Sequence, residues 1–460
     1  MSRVYDVAVI GGGPAGYVAA IKAAQRGADI IIFEKDAFGG TCLNRGCIPT
    51  KTYLKTARLL EDMRKAGSRG IISDSDIRVS MPDVLKHKEM VVKQLGHGVR
   101  GLIKSNKIHM ERGVAKLQSA TQITCEGRGY QARNIILCSG AKPAKMRIPG
   151  IDNENVMTSD DILSISEIPA RLCIIGGGVI GCEMAEIFTA FGSKVTIVEL
   201  CDRLIPTMDC ELSGSMHTSL EKKGINVLLG RKVEAFEQKS GSVSVELGDY
   251  TVNAGKVLVS TGRMADLECL GQLSGSIKTE HGKVCADSQM RTSIPNIYAP
   301  GDINGKLMLA HAAFHMGEIA AINATGGNET VKLSCVPISI YTSPEIASVG
   351  LTEQEAVNLC GQENLMIGRF PFSANGRSLA SGQTEGFIKV IAEKRYGEIL
   401  GVHIAGYYAS ELIQEAVCLI SSEITVFEAG RMIHGHPTFS EAFVEACLDA
   451  DGRSIHLPPK

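Results

Sequence analysis

The chain has 460 residues, 44% hydrophobic and 21% charged, an ordinary globular composition with length for about three domains. Its formal net charge of −2 offers no electrostatic reason to expect nucleic acid or an anionic membrane surface as a partner. No apolar run approaches the ~18 residues that span a bilayer, and 14 scattered cysteines without zinc-like spacing predict neither a secreted disulfide framework nor a metal site.

Met1-Ser2-Arg3 leads directly into Val4–Ile10, which reads as a strand. Neither a signal peptide nor an Arg-rich transit segment is visible, so a cytoplasmic protein is expected. Gly11-Gly12-Gly13-Pro14-Ala15-Gly16 follows, then a helical stretch to about Arg26, then the apolar run Ile30–Phe33 closed by Glu34. The pattern recurs as Leu172–Ile175, Gly176-Gly177-Gly178-Val179-Ile180-Gly181, a helix to about Phe191, and Val195–Val198 closed by Glu199. In both copies the acid stands 23 positions after the first glycine. One such glycine loop is weak evidence, but two in strand–turn–helix–strand–acid context point to two dinucleotide sites. The first glycine makes the turn, the second admits a pyrophosphate, the third lets helix pack on strand, and the carboxylate accepts bonds from ribose hydroxyls.

Each half ends on an echo, Asn134–Gly140 and Lys256–Gly262, 106 and 63 residues after its acid. The first half therefore carries an insertion, and within it lies Gly39-Gly40-Thr41-Cys42-Leu43-Asn44-Arg45-Gly46-Cys47-Ile48-Pro49-Thr50-Lys51. On an ideal helix, cysteines five apart have Cα atoms roughly 8–9 Å apart, beyond the ~7 Å a disulfide tolerates. A bridge between them requires a distorted turn, for which Gly46 supplies freedom and Pro49 disrupts the ladder. A strained, accessible bridge is easily reduced. A helix N-terminus and Lys51, one turn beyond Cys47, favour the thiolate. The alternative is two ordinary core thiols, the reading given to Cys138, Cys173 and Cys182. Past about residue 336 the runs Phe387–Ile391 and Leu400–Ile404 suggest an α+β domain without a nucleotide fingerprint. It carries His434-Gly435-His436-Pro437-Thr438-Phe439-Ser440-Glu441, where a histidine can accept a thiol proton and a carboxylate five residues on can orient it.

Gly39–Lys51 resembles the redox signature of the flavin-dependent pyridine nucleotide–disulfide oxidoreductases, and the resemblance covers nearly the whole chain. Thr292–Asp302 is similar to the family's second FAD motif, with Leu309-Ala310-His311 at the expected place. Tyr341–Gly350 is similar to the start of its dimerisation domain. The run about His436, with the ending Ser454–Lys460, resembles the dihydrolipoamide dehydrogenase branch. The resemblance implies an α/β fold with two Rossmann-like units and a C-terminal α+β dimerisation domain. Residues 1–145 would bind FAD, completed by 266–335; 146–265 would bind NAD; 336–460 would dimerise.

It further implies that Cys42 and Cys47 form the redox disulfide and that His436, held by Glu441, is the base, serving the disulfide of the other subunit in a homodimer. FAD would contact Gly11, Gly13, Pro14, Ala15, Gly16, Glu34, Lys35, Gly40, Thr41, Lys51, Ala115, Ser139, Gly140, Asp302 and Ala310. NAD would contact Gly176, Gly178, Val179, Ile180, Gly181, Glu183, Glu199, Val233 and Gly262. An acid at position 199 favours NAD over NADP, whose 2′-phosphate it would repel. The implied reaction oxidises a dihydrolipoyl group and reduces NAD. Its partner would be a lipoyl-bearing protein of a 2-oxo acid dehydrogenase or glycine-cleavage complex. Gly435, Met264, Pro300 and Tyr407-Tyr408 depart from the commonest family pattern. Another NAD(P)H-dependent disulfide reductase and a non-catalytic FAD-binding subunit are the alternatives.

Overall fold

The computed structural model describes residues 3–72, 77–239 and 241–458, so Met1, Ser2 and the final Pro459-Lys460 of the C-terminal motif lie outside the described residues. Strand β1 (Val4–Ile10) is buried over most of its length, as a parallel strand covered on both faces must be. It pairs in parallel with β2 (Ile30–Glu34) and with Arg128–Leu137. Helix α1 (Pro14–Gln25) crosses between β1 and β2, and Pro14 opens it where an N–H would have no helical partner. His109–Arg112 extends this sheet beyond β2, while Gln122–Cys125 and Ala115–Leu117 extend it antiparallel on the other side. Ile297–Tyr298 also pairs with Arg128–Leu137, so the chain returns to this sheet after building a second one.

The cysteine segment does not form one helix with a distorted turn. It forms two, α2 (Gly40–Arg45) and α3 (Cys47–Lys65), separated at Gly46, whose φ is −143° and ψ −111°. Pro49 disrupts nothing: it is buried in the first turn of α3, where N–H groups lack helical acceptors in any case.

The second sheet repeats the unit with β3 (Arg171–Ile175), α4 (Val179–Phe191) and β4 (Lys194–Val198). Its parallel order is Asn226–Leu228, β4, β3, Lys256–Val259, Val156–Met157. Helix α5 (Cys210–Lys222) follows β4. The two linkers between the units, Ala141–Pro143 and Arg263–Ala265, pair with each other. Helix α6 (Ala310–Ala324) packs on α1. The C-terminal domain is an antiparallel sheet ordered Ile338–Ile340, Glu345–Gly350, β6 (Ile399–Gly406), β5 (Phe387–Glu393), Leu365–Pro371. Helices Ala409–Ser421 and α7 (Glu441–Ala450) pack on it. The fold is thus two dinucleotide-type α/β units with a C-terminal α+β domain, the class expected above.

The contact between α1 and α6 sets the position of the first glycine loop. A Cβ on Gly317 would collide with the carbonyl oxygen of Ala15, in the first turn of α1. Gly317→Ala should therefore cost about 1–3 kcal/mol by forcing the helices apart, and should loosen FAD by shifting the N-terminus of α1. Thermal unfolding with and without added FAD reads both effects; an unchanged midpoint would mean that the helices separate freely.

Candidate active site

Both glycine loops have the same physical design. Gly11 and Gly176 lie at φ +106° and +107°, and a Cβ on either would collide with the carbonyl oxygen of the strand-end residue opposite, Cys138 or Ser260. The space beyond the helix is open. A Cβ on Gly13 would meet only Gly40 Cα, at 3.7 Å, and one on Gly178 would meet nothing within 4 Å. Neither residue caps its helix with a side chain, so the first N–H groups of α1 and α4 remain for an anion. Pro14, Ala15 and Gly16 form the first turn of α1; Val179, Ile180 and Gly181 that of α4.

Each acid is fixed against its loop. Glu34 accepts from the N–H groups of Gly12 and Asp36, both at 2.7 Å. Glu199 accepts from Gly177 at 2.6 Å and Cys201 at 2.8 Å. A carboxylate has about four acceptor positions, so each keeps capacity for ribose hydroxyls. Burial raises the pKa of Glu34, with the Gly12 N–H opposing. Beside it opens a cavity of about 240 Å³ lined by Glu34, Phe38, Asn44, Lys93, Arg100 and Arg112 among others. The basic residues there come from Met81–Ser105 and His109–Arg112, whose local sequence carries no nucleotide signal.

Other cofactor candidates converge on the first loop. A Cβ on Gly40, at φ +58°, would meet Gly13 Cα at 2.6 Å, which brings α2 onto the loop. Ala310 begins α6, whose N-terminus also lacks a side-chain cap. Burial raises the pKa of the Asp302 carboxylate, with Arg263 opposing. Ser139 Oγ donates to the Asp266 carbonyl at 2.7 Å, and the amine of Lys35 turns to the Asp266 carboxylate at 3.0 Å. Gly140 and Gly262 have positive φ and open surroundings. Ala115 and Val233 are buried, in the cores of the first and second units respectively. Arg263 donates to Thr41 Oγ1 at 3.5 Å, a link between the linker and α2 that neither local sequence announces.

Cys42 lies on α2 and Cys47 opens α3; both are half-buried free thiols. Burial raises Cys138, Cys173 and Cys182, whereas Cys47 is lowered to about 7. The hydrogen bond from Cys42 does most of this, Lys51 adds to it, and burial and Glu183 oppose. The same bond raises Cys42. The Lys51 amine lies 2.9 and 3.0 Å from the two oxygens of Glu183 and 4.3 Å from the centroid of the Tyr341 ring. Burial pulls this amine down, but Glu183 outweighs burial and holds it above its ordinary value. Glu183 also accepts from the Tyr341 N–H at 2.9 Å. One ion pair thus joins the redox helix, the second nucleotide unit and the C-terminal domain.

His436 Nδ1 is 2.8 Å from Glu441 Oε1, and Glu441 Oε2 accepts from the Thr438 N–H at 2.7 Å. Glu441 lies below the usual carboxylate range, because the Thr438 N–H and His436 outweigh its burial. His434 is engaged elsewhere, 2.6 Å from Glu415. The His436 side chain is 79% exposed, and among the described residues no hydrogen bond or ion pair joins it to Cys42.

The model of the pyridine nucleotide-disulphide oxidoreductase family matches residues 5–317, and that of the family's dimerisation domain matches residues 336–447. The chain belongs to this family. A dihydrolipoyl dehydrogenase of Bacillus subtilis (strain 168) is 40% identical, over 98% of this chain and 99% of the relative. One of Chlamydia pneumoniae is 38% identical over 100% of both. Among solved structures, LpdA from Mycobacterium tuberculosis superposes with a TM-score of 0.89 at 25% identity, over 96% of this chain and 98% of that one. The HOCl-induced flavoprotein disulfide reductase RclA from Escherichia coli gives 0.87 at 25% identity, over 96% and 99%. As a member of this oxidoreductase family the chain uses FAD and NAD, and its two open loops with their fixed acids fit two dinucleotides. Its C-terminal dimerisation domain pairs it with a second copy of itself. No helix of the described residues is long and apolar enough to cross a membrane.

In the cofactor-free protein the Cys47 thiolate should form as pH rises through about 7. Alkylation by iodoacetamide, followed against pH, should show that midpoint. Cys42→Ala removes the hydrogen bond and should move it toward the ordinary thiol value of about 8.5; an unmoved midpoint would mean that Lys51 alone holds the thiolate.

Proposed function

We propose that the chain is a dihydrolipoamide dehydrogenase, oxidising a protein-bound dihydrolipoyl group and reducing NAD. The observation that carries this reading is the separation of the chemistry into two finished parts: a thiol pair with a lowered Cys47 beside Lys51–Glu183, and an exposed His436–Glu441 pair on the dimerisation domain. Neither part is complete alone, and a second copy of the chain would bring them together. Retention of every reactive group tells against a non-catalytic subunit. Glu199, held against the second loop by two backbone N–H groups, tells against a reductase that uses NADP.

Each step then follows from residue chemistry. His436, with Glu441 on its other ring nitrogen, takes a proton from one dihydrolipoyl thiol. The substrate thiolate attacks Cys42 Sγ of the oxidised pair. A mixed disulfide forms, and the Cys42–Cys47 bond breaks with Cys47 leaving as thiolate. The second substrate thiol attacks the substrate sulfur bonded to Cys42, closing the cyclic disulfide and releasing Cys42, which takes up a proton. Lys51 and the Cys42 S–H stabilise the Cys47 thiolate. When bound, FAD would supply the route by which the two electrons of the reduced pair reach NAD as hydride, while Cys42 gives up its proton and the Cys42–Cys47 bond re-forms. On this reading the first loop, Glu34 and Asp302 hold FAD, and the second loop, Glu183 and Glu199 hold NAD.

The division of the chain into 1–145 with 266–335, 146–265 and 336–460 goes with this reading, supported by the return of Ile297–Tyr298 to the first sheet. A cytoplasmic location also goes with it, since the 14 cysteines are scattered and lack the dense, regular spacing of a secreted disulfide framework. A lipoyl-bearing subunit of a 2-oxo acid dehydrogenase or glycine-cleavage complex is the partner that such a reaction requires.

NAD reduction with dihydrolipoamide, beside glutathione and NADP controls, tests the assignment. His436→Gln should lower kcat by about 10²–10⁴ with FAD retained, and Cys47→Ser should abolish turnover. His436→Gln alone should keep only that residual activity and Cys47→Ser none, but co-refolded heterodimers should regain activity, because one interface then carries an intact thiol pair and an intact base. No recovery would place the base and the thiols in the same subunit.

A further inference from the structure

A group of charged side chains that none of this chemistry uses lies where the second nucleotide unit meets the dimerisation domain. Lys389, on β5, is fully buried. Its amine lies 3.0 Å from both oxygens of Asp209, 2.7 Å from Glu211 and 2.6 Å from Glu353. Arg369 closes the group at 2.6 Å from Glu211 and 3.1 Å from Glu353. Asp209 and Glu211 belong to the nucleotide unit, where Asp209 caps α5 by accepting from the Glu211 N–H at 3.0 Å. Lys389, Arg369 and Glu353 belong to the dimerisation domain, and the Glu353 N–H also donates to Asp209 at 3.1 Å. Burial pulls the Lys389 amine down, but its bonds to Glu211, Glu353 and Asp209 hold it above its ordinary value. Apolar residues could fill such a site with equal stability, so a buried ion cluster speaks more for defined geometry than for added stability.

Asp209 ends a segment that begins at Glu199. Midway, the Ile205 N–H donates to the Gly177 carbonyl at 2.9 Å. The Leu204 side chain fills the space behind Gly177, where a Cβ would collide with it. Ser213 of α5 donates to the Leu204 carbonyl at 2.6 Å. Ile205 has φ +42° although it is β-branched and precedes Pro206, a conformation held only when the surroundings impose it. The segment is thus pinned at Glu199 by the second loop, at Ile205 by Gly177, and at Asp209 by the other domain.

We propose that Lys389 is a positioning residue for NAD: by holding Asp209 across the domain boundary, it presses residues 200–209 against the back of Gly177 and so fixes the second glycine loop with Glu199. The inference rests on the assignment of that loop to NAD.

The test uses the FAD-loaded dimer carrying Asp209→Asn with Lys389→Met. Asn keeps the helix cap, and one charge of each sign is removed. The KM for NAD should rise about tenfold, with kcat changed by less than about twofold. FAD content and single-turnover reduction by dihydrolipoamide without NAD should not change. Lys222→Ala, which removes an exposed ion pair to Glu385 between the same two bodies, should leave the KM for NAD unaltered. An unchanged KM in the double variant overturns the proposal. So does a joint fall in FAD content and in the dihydrolipoamide half-reaction, or an equal effect of Lys222→Ala. If the double variant does not fold, Ile205→Gly, which takes φ +42° without strain, should raise the KM for NAD by freeing the segment; no rise overturns the proposal. Wild-type protein that reduces flavin with dihydrolipoamide but binds no NADH would instead remove the NAD assignment itself.

Discussion

The Lys51–Glu183 ion pair is the contact on which the active site depends. Lys51 stands one turn into the helix opened by Cys47, and Glu183 stands in the helix that begins at the second glycine loop. Two bonds of about 3 Å between them fix where one dinucleotide unit faces the other. The same amine favours the Cys47 thiolate, and the same carboxylate holds the backbone of Tyr341 from the dimerisation domain. Losing either partner would leave the other as an uncompensated charge, nearly excluded from water on the glutamate side.

The two glycine loops place atoms by removing them. Helix can follow strand this closely only where no Cβ intervenes, and the N–H groups so exposed are the strongest anion-binding feature a neutral backbone offers. Each acid serves two ends. It is held by N–H groups of its own loop and neighbouring turn, and it keeps acceptors free for a ribose. On the proposed reading, that rigidity lets each carboxylate discriminate between closely similar nucleotides.

Base and thiols are kept apart within one chain. The His436 loop is anchored to its domain through Phe439, which is part of that domain's core, while the His436 ring is held by Glu441 and stays largely in solvent. On the proposed reading, pairing of two copies brings the two half-sites into proximity.

Much of this was legible in the residues. The strand–glycine–helix–acid units, the cysteine pair and the His-Pro run are local patterns, each confined to one or two elements, and local sterics decide their geometry. Asp302 was legible only through family resemblance, because a single carboxylate has no local signature, whereas Lys51 was legible by its place one turn beyond Cys47. The break at Gly46 and the placing of Pro49 were not legible, since spacing alone cannot say whether two half-turns form one helix or two. Lys389 with Asp209, 180 residues apart, Lys35 with Asp266, and Arg263 with Thr41 have no sequence periodicity to betray them. The sequence by itself determined the two strand–glycine–helix–acid units, the spacing of the cysteine pair and the His-Pro run, because these follow from backbone chemistry over a few residues. Only the tertiary structure decided which charges face one another across domains, because that depends on how separately closed cores pack together.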